Sequence, residues 1–451
     1  MKPYGPTACT RCGDSVKSLF SQPLASAPLL PSLIALAILL SGCGRSMMAT
    51  PLVYRDATTS VFGELVPELQ GDRIPILYAT DRKPASAGSR GRRFYGSERS
   101  TSGVLGVADV QIGRVAGSWV ETAGIQGAGG QSTEQLPPSA TEVVSVKELV
   151  RFPATPYFFR VGERGRIAPD PEVVAELEQA TAAARREVVR RLALTPRKEV
   201  FVFIHGVANQ FDDAIIAAAE LWHFLGREGV PIAYTWPAGA KGLIFYTADR
   251  ESGEFTILHL KQFLRILADI PEVEKIHIAA HSRGTDVATT ALRELIIESR
   301  AVGVDPRTRY RIENLVLVSA DLDLEVAMQR LVGEGLGPAF GRVTIYTNAK
   351  DTALATAKSL FNSRQRVGNL TPSALTSRQR EVVQRIANLD IIVYEGGGGG
   401  LFRHGYYTDP VASSDMLMLL RYGWGAGQGR RDGLERISPN IWRITEMSSG
   451  N

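Results

Sequence analysis

The sequence predicts an α/β protein with a mostly parallel central sheet and helices on both faces. Three observations carry that expectation. Short, almost wholly apolar runs recur along the chain, as in Val200-Phe201-Val202-Phe203-Ile204. Strands that are apolar throughout, and not alternating, are buried on both faces, as in parallel sheets covered by helices. Helical patterns separate these runs, giving a βα alternation. One junction, Ile276-His277-Ile278-Ala279-Ala280 followed directly by a helical pattern from Thr285 to Arg300, is a strand feeding a helix through a very tight turn.

The elements follow in order. Ile74–Thr80 reads as the first strand, with a basic, Gly/Ser-rich loop to Arg93 and a second strand over Val104–Val110. Ala123–Ala140, rich in Gly, Gln, Ser and Pro, reads as part of a surface insertion near 121–141. Asp170-Pro171-Glu172 starts a helix, with Asp as N-cap and Pro in the first helical position, and this helix runs to about Leu194. Strands are expected over 200–204, 231–235, 276–280, 314–320, 343–347 and 390–394. Helices are expected over 212–227, 255–267, 285–300, 324–331, 352–360 and 378–386.

The chain has 451 residues, 44% hydrophobic and 22% charged, which is ordinary globular composition with length for a large core. A net charge of +4 without a long basic tract gives nucleic-acid binding no support. Lys2, Arg11 and Lys17 precede an apolar stretch, Leu29–Leu40, that is short for a membrane span and suited to a secretory signal. It ends in Leu40-Ser41-Gly42-Cys43, which resembles the lipobox of bacterial lipoproteins. The resemblance implies cleavage before Cys43, lipid on its sulfur and new amino group, and membrane anchoring in the bacterial cell envelope. Gly44 at the next position, where Asp is absent, favours the outer membrane. Residues 1–42 are then a signal peptide, 43–70 a tether, and 71–451 the folded domain. Removing 1–42 takes away three basic residues and one acidic one, so the charge falls from +4 to +2. Cys9-Thr-Arg-Cys12 lies in the leader without a second pair, and only Cys43 would remain, so no disulfide is expected.

Ala280-His281-Ser282-Arg283-Gly284 is a variant of the G-x-S-x-G nucleophile elbow with Ala in the first Gly position. Small residues two before and two after the serine let neighbouring backbone pass close to the turn. Serine is unreactive at its free pKa and needs a base, an acid and an oxyanion hole. Where this elbow occurs, acid and then base follow the serine in the chain. Of six histidines, His205, His223, His259, His277, His281 and His404, only His404 lies after Ser282, across the run Gly396–Gly400 from the last strand. Two strand ends offer acids, Asp351 after 343–347 and Asp321 or Asp323 after 314–320. Asp351 is favoured because the acid ordinarily follows the later strand, with Asp321 and Asp323 as alternatives. Each of the three could instead cap the helix that follows it. Asp286, within the elbow helix, reads as structural. One oxyanion donor is the N–H of Arg283. The second is that of Val207, after the strand break at His205-Gly206, where glycine allows backbone to approach substrate.

These residues together resemble the α/β-hydrolase esterase/lipase superfamily. The similarity is greatest to a bacterial branch sharing Leu77-Tyr78-Ala79-Thr80-Asp81-Arg82, His205-Gly206, Phe211-Asp212-Asp213-Ala214, Trp236-Pro237, Tyr246-Thr247-Ala248-Asp249-Arg250, the elbow, and His404-Gly405-Tyr406-Tyr407. The resemblance covers about residues 74–420 and implies an α/β-hydrolase fold and acyl transfer through Ser282, His404 and Asp351. No metal or organic cofactor is implied. The substrate is a small-molecule or lipid ester. Amidase, peptidase or thioesterase chemistry on the same triad is the enzymatic rival, and a catalytically silent, envelope-anchored binding protein is the rival of another class. The branch has Met where this chain has Arg283, whose guanidinium is expected in a surface salt bridge. Oligomeric state is not legible.

Overall fold

The apolar runs become the middle of one large sheet. A computed structural model of the chain describes residues 47–54, 62, 65–85, 94–112, 141–240, 245–360, 365–397, 403–427 and 433–444. Strands β1 (Arg73–Pro84), β2 (Tyr95–Gln111) and β3 (Glu142–Arg151) come first. A separate two-stranded ribbon follows, β4 (Phe159–Val161) and β5 (Ile167–Pro169). Then come α1 (Pro171–Leu192), β6 (Glu199–Ile204), α2 (Phe211–Phe224), β7 (Val230–Thr235), α3 (Phe245–Ala268), β8 (Lys275–His281) and α4 (Gly284–Ala301). The chain continues through α5 (Pro306–Tyr310), β9 (Ile312–Val318), α6 (Leu324–Met328), β10 (Arg342–Thr347), α7 (Thr352–Leu360), α8 (Ser377–Arg385) and β11 (Leu389–Tyr394). It closes with α9 (Pro410–Tyr422), β12 (Leu434–Ser438) and β13 (Ile441–Ile444).

The large sheet runs β12-β13-β11-β10-β9-β8-β6-β7-β1-β2-β3. Every neighbouring pair from β13 to β1 is parallel. The pairs β12–β13, β1–β2 and β2–β3 are antiparallel. The sheet is therefore mostly parallel, as expected. Successive residues of β6 enter opposite cores: Val202 packs with Val188, Leu260 and Leu292 of α1, α3 and α4, while Phe201 and Phe203 pack with Ile215, Trp222 and Leu417 of α2 and α9. That two-sided burial is why these strands read as continuous apolar runs.

Several boundaries differ from the sequence expectation. α3 begins at Phe245, well before Phe255, because buried Asp249, Ser252 and Gly253 interrupt its apolar periodicity. α9 went unpredicted for the same reason, with Ser413, Ser414 and Asp415 buried inside it. The helix expected over 324–331 leaves α geometry at Met328 and continues as a π-turn over Gln329–Gly333. Part of the expected tether is packed instead: Met48, Tyr54 and Leu69 are buried, and the Tyr54 hydroxyl donates to the Phe224 carbonyl at 2.6 Å. The leader 1–42 and all but Thr141 of the 121–141 insertion lie outside the described residues. Among the described residues, no helix is long and apolar enough to cross a membrane.

Candidate active site

Ser282 sits between the end of β8 and the start of α4 with φ 53°, a left-handed conformation that costs a non-glycine residue about 1 kcal/mol or more. Two close approaches hold this corner. A Cβ on Gly284 would lie 2.3 Å from the His205 carbonyl oxygen and 2.7 Å from that of Ile204. A Cβ on Gly206 would lie 2.6 Å from Ser282 Cβ and 3.1 Å from its Oγ. The loop after β6 therefore passes directly over the serine hydroxyl. From the other side, the Ser282 N–H donates to the Val318 carbonyl at 2.9 Å and its carbonyl accepts from the Asp321 N–H at 3.2 Å. Ala280 is buried in the core, where its methyl is accommodated.

His404 follows β11 and reaches back to this corner. Its carbonyl accepts from Ser319 Oγ at 2.6 Å and meets His281 Nε2 at 3.1 Å, and the rings of His281 and His404 lie 4.8 Å apart. His404 Nδ1 is 2.7 Å from Asp351 Oδ2, with Asp351 fully buried and His404 20% exposed. Burial alone would lower the imidazole pKa. The charge and hydrogen bond of Asp351, with the charge of Asp321 behind them, outweigh it and raise His404 above 6.5. The second Asp351 oxygen, Oδ1, accepts from the Leu354 N–H at 3.0 Å and so caps α7. Asp351 thus both contacts His404 and caps α7.

The other two aspartates do different work. Asp323 caps α6, accepting from the Glu325 and Val326 N–H groups at 2.9 and 3.2 Å. Asp321 is not a cap: its Oδ2 accepts from the Tyr246 hydroxyl at 2.5 Å, and Arg366 Nε lies 3.5 Å from Oδ1. Of the three, Asp351 is the one in contact with His404.

The loop over the serine is held by buried ions. Arg82, 1% exposed, donates to Thr235 Oγ1 at 2.9 Å, to the carbonyls of Gly96, Ala238 and Asn209 at 3.0, 2.7 and 3.0 Å, and to His205 Nε2 at 3.3 Å. Guanidinium cannot accept, so Nε2 must; Nδ1 then carries the proton, donated to the Gly206 carbonyl at 2.8 Å. Burial and the Arg82 charge keep His205 neutral by pushing its pKa well below 6.5. Its ring stacks on Trp236 at 5.1 Å, and the Trp236 indole N–H donates to the His205 carbonyl at 2.7 Å. Asp249, fully buried, accepts from three backbone N–H groups: Ala208 at 2.8 Å, Gly239 at 3.1 Å and Ala240 at 3.0 Å. Ala208 has φ 60°, a second strained position beside the site. Arg82, Trp236 and Asp249 stood in the recurring stretches of the sequence without an assigned role. The expected surface salt bridge of Arg283 is instead buried: the side chain is 8% exposed and pairs with Asp286 at 2.6 Å, which also binds Arg330 at 2.6 Å. The helical spacing of Arg283 and Asp286 places them together, and Glu254 of α3 lies 4.0 Å from the guanidinium. Among the described residues no group of three His, Cys, Asp or Glu side chains is placed to hold a metal ion.

A family model, "Alpha/beta hydrolase of unknown function (DUF900)", matches residues 180–420, more than half of the chain. The chain belongs to this family. Among solved structures, an esterase from the hyperthermophilic archaeon Pyrobaculum calidifontis is similar at 12% identity over 55% of this chain and 91% of that one, with a TM-score of 0.27. ESTFA in its iron-lacking apo form is similar at 14% identity over 37% of this chain and 62% of that one, with a TM-score of 0.20. No curated protein matches the chain. The matched segment of this α/β hydrolase runs from within α1 to within α9 and includes Ser282, Asp351 and His404.

Proposed function

We propose that this α/β hydrolase is a serine hydrolase acting on carboxylic esters through an acyl-enzyme. The observation that carries the reading is the 2.7 Å contact between His404 Nδ1 and buried Asp351, on a loop bonded to His281 of the elbow and to Ser319 after β9. Asp351 accepts a hydrogen bond from Nδ1–H, which leaves Nε2 to accept the proton of Ser282 Oγ. Oγ attacks the ester carbonyl, and the N–H groups of Val207 and Arg283 stabilise the oxyanion. Collapse expels the alcohol, which takes its proton from His404. Water, deprotonated by His404, then attacks the acyl-enzyme and releases acid and free serine. The two held loops support this reading, since positioning of an oxyanion donor is worth about 3 kcal/mol of transition-state stabilisation.

A fluorophosphonate probe tests it together with short p-nitrophenyl esters. The protein should be labelled and should turn over the esters, and Ser282→Ala should abolish both while keeping its circular dichroism. Equal labelling of Ser282→Ala moves the nucleophile elsewhere. No labelling of the parent chain makes it a silent binding protein. Hydrolysis of amide or thioester analogues with esters untouched redirects the substrate class.

We further propose that lipid on Cys43 anchors the chain in the bacterial envelope, supported by Leu40-Ser41-Gly42-Cys43 after an apolar stretch. Cys43→Ala should move the protein from the membrane to the soluble fraction of its host; unchanged fractionation overturns this.

A further inference from the structure

The β4–β5 ribbon exposes large apolar side chains that no described residue covers. Phe158, Phe159, Val161 and Ile167 are 81, 58, 67 and 69% exposed. In the register of the ribbon, Phe159 pairs with Pro169 and Val161 with Ile167, so these four side chains share one face. Arg160 and Ala168 pair on the other face, where Arg160 binds Asp170 at 3.0 Å. One face of the ribbon is therefore wholly apolar, while Phe158, opposite Asp170 at the ribbon's open end, shares the other face with Arg160 and Ala168. With Arg160 paired to Asp170, Arg164 and Arg166 at the turn stand against one acid, Glu163.

We propose that this ribbon docks on a lipid bilayer with anionic headgroups. The apolar face lies toward the acyl chains, and Arg164 and Arg166 at the turn bind headgroup phosphates. Two arguments favour a membrane over a protein. Four side chains supply far less than the roughly 800 Å² per partner of a stable protein interface, whereas interfacial binding has no such minimum and grows with apolar area and charge. The basic excess also matches anionic lipid, and guanidinium binds phosphate in a forked geometry. Two-stranded ribbons are marginal in water by themselves, so an interface would also steady this one.

The N-terminal apolar stretch before cleavage, or a lipid on Cys43 after it, would bind vesicles unaided, so the test reads depth at the ribbon. Full-length Phe159→Trp is mixed with phosphatidylcholine–phosphatidylglycerol vesicles brominated along the acyl chain, with the parent chain as background. The added fluorescence should shift to the blue and be quenched. Arg164→Glu with Arg166→Glu should weaken that quenching about tenfold in lipid concentration on anionic vesicles. If the indole added by Phe159→Trp stays unquenched, the proposal is overturned, as it is by quenching indifferent to the two arginines. A Phe159→Ser chain that elutes as a smaller species than the parent assigns the face to a second copy and also overturns it.

Discussion

The elbow and the loop over it meet at Ser282 but are held by opposite physics. The elbow is held by crowding: Gly284 and Gly206 admit backbone and serine into space a methyl would fill. The loop from His205 to Asn209 is held by charge: Arg82 and Asp249, both buried, direct eight hydrogen bonds into it and its supports. Crowding tolerates no added atom but needs no partner. Buried ions tolerate no lost partner, because an unpaired charge in a low-dielectric interior is costly. The part proposed to present the nucleophile is thus sterically specified, and the part proposed to bind the oxyanion is electrostatically specified.

The sharpest way to break this contrast is Gly284→Ala. Its methyl meets two main-chain oxygens that cannot move aside, so we expect a loss of about 3 kcal/mol in chemical denaturation. Stability within about 0.5 kcal/mol of the parent would show that the corner is not crowded. On the electrostatic side, Asp249→Asn keeps the shape but supplies one acceptor oxygen for three N–H groups. Its kcat on p-nitrophenyl esters should fall about tenfold to hundredfold with KM little changed. A lower melting temperature with full kcat would make Asp249 a plain structural clasp.

The pH profile sharpens the comparison further. His404 has its pKa raised above 6.5 and must be neutral to act as base, so the acid limb of kcat/KM should have its midpoint above 6.5. Stability runs the other way. The Asp351–His404 pair stabilises fully below the unfolded value of about 6.5, and that contribution fades as pH rises through the folded value. A kinetic midpoint below 6.5 would contradict the pairing. The smallest effect belongs to Asp323→Ala, which removes the α6 cap: about 1 kcal/mol of stability should go while ester turnover stays put.

Local features of the site were legible and distant ones were not. The elbow is five consecutive residues, and His404 followed from its position after Ser282. Asp351 was favoured by strand order, while the geometry of Asp321, turned toward Tyr246 and Arg366, had no sequence signal. Arg82 bonds Asn209 across 127 positions and Asp249 bonds Ala208 across 41, separations at which only the folded sheet defines neighbours. The parallel strands were legible because they are buried on both faces. β3 was not, because only Val143 and Val150 along it are fully buried and the residues between them are half-buried or exposed. α9 hid behind buried serines that hydrogen-bond the Pro410 carbonyl and break the apolar stripe.

The loop carrying His404 is gripped through its main-chain carbonyl, by Ser319 and by His281, and not only through its ring. Trimming the ring to a methyl should leave the strand of chain on course and open a vacant slot lined by Asp351. A small soluble base of the same shape could fill that slot, so imidazole added to His404→Ala should restore part of the lost turnover.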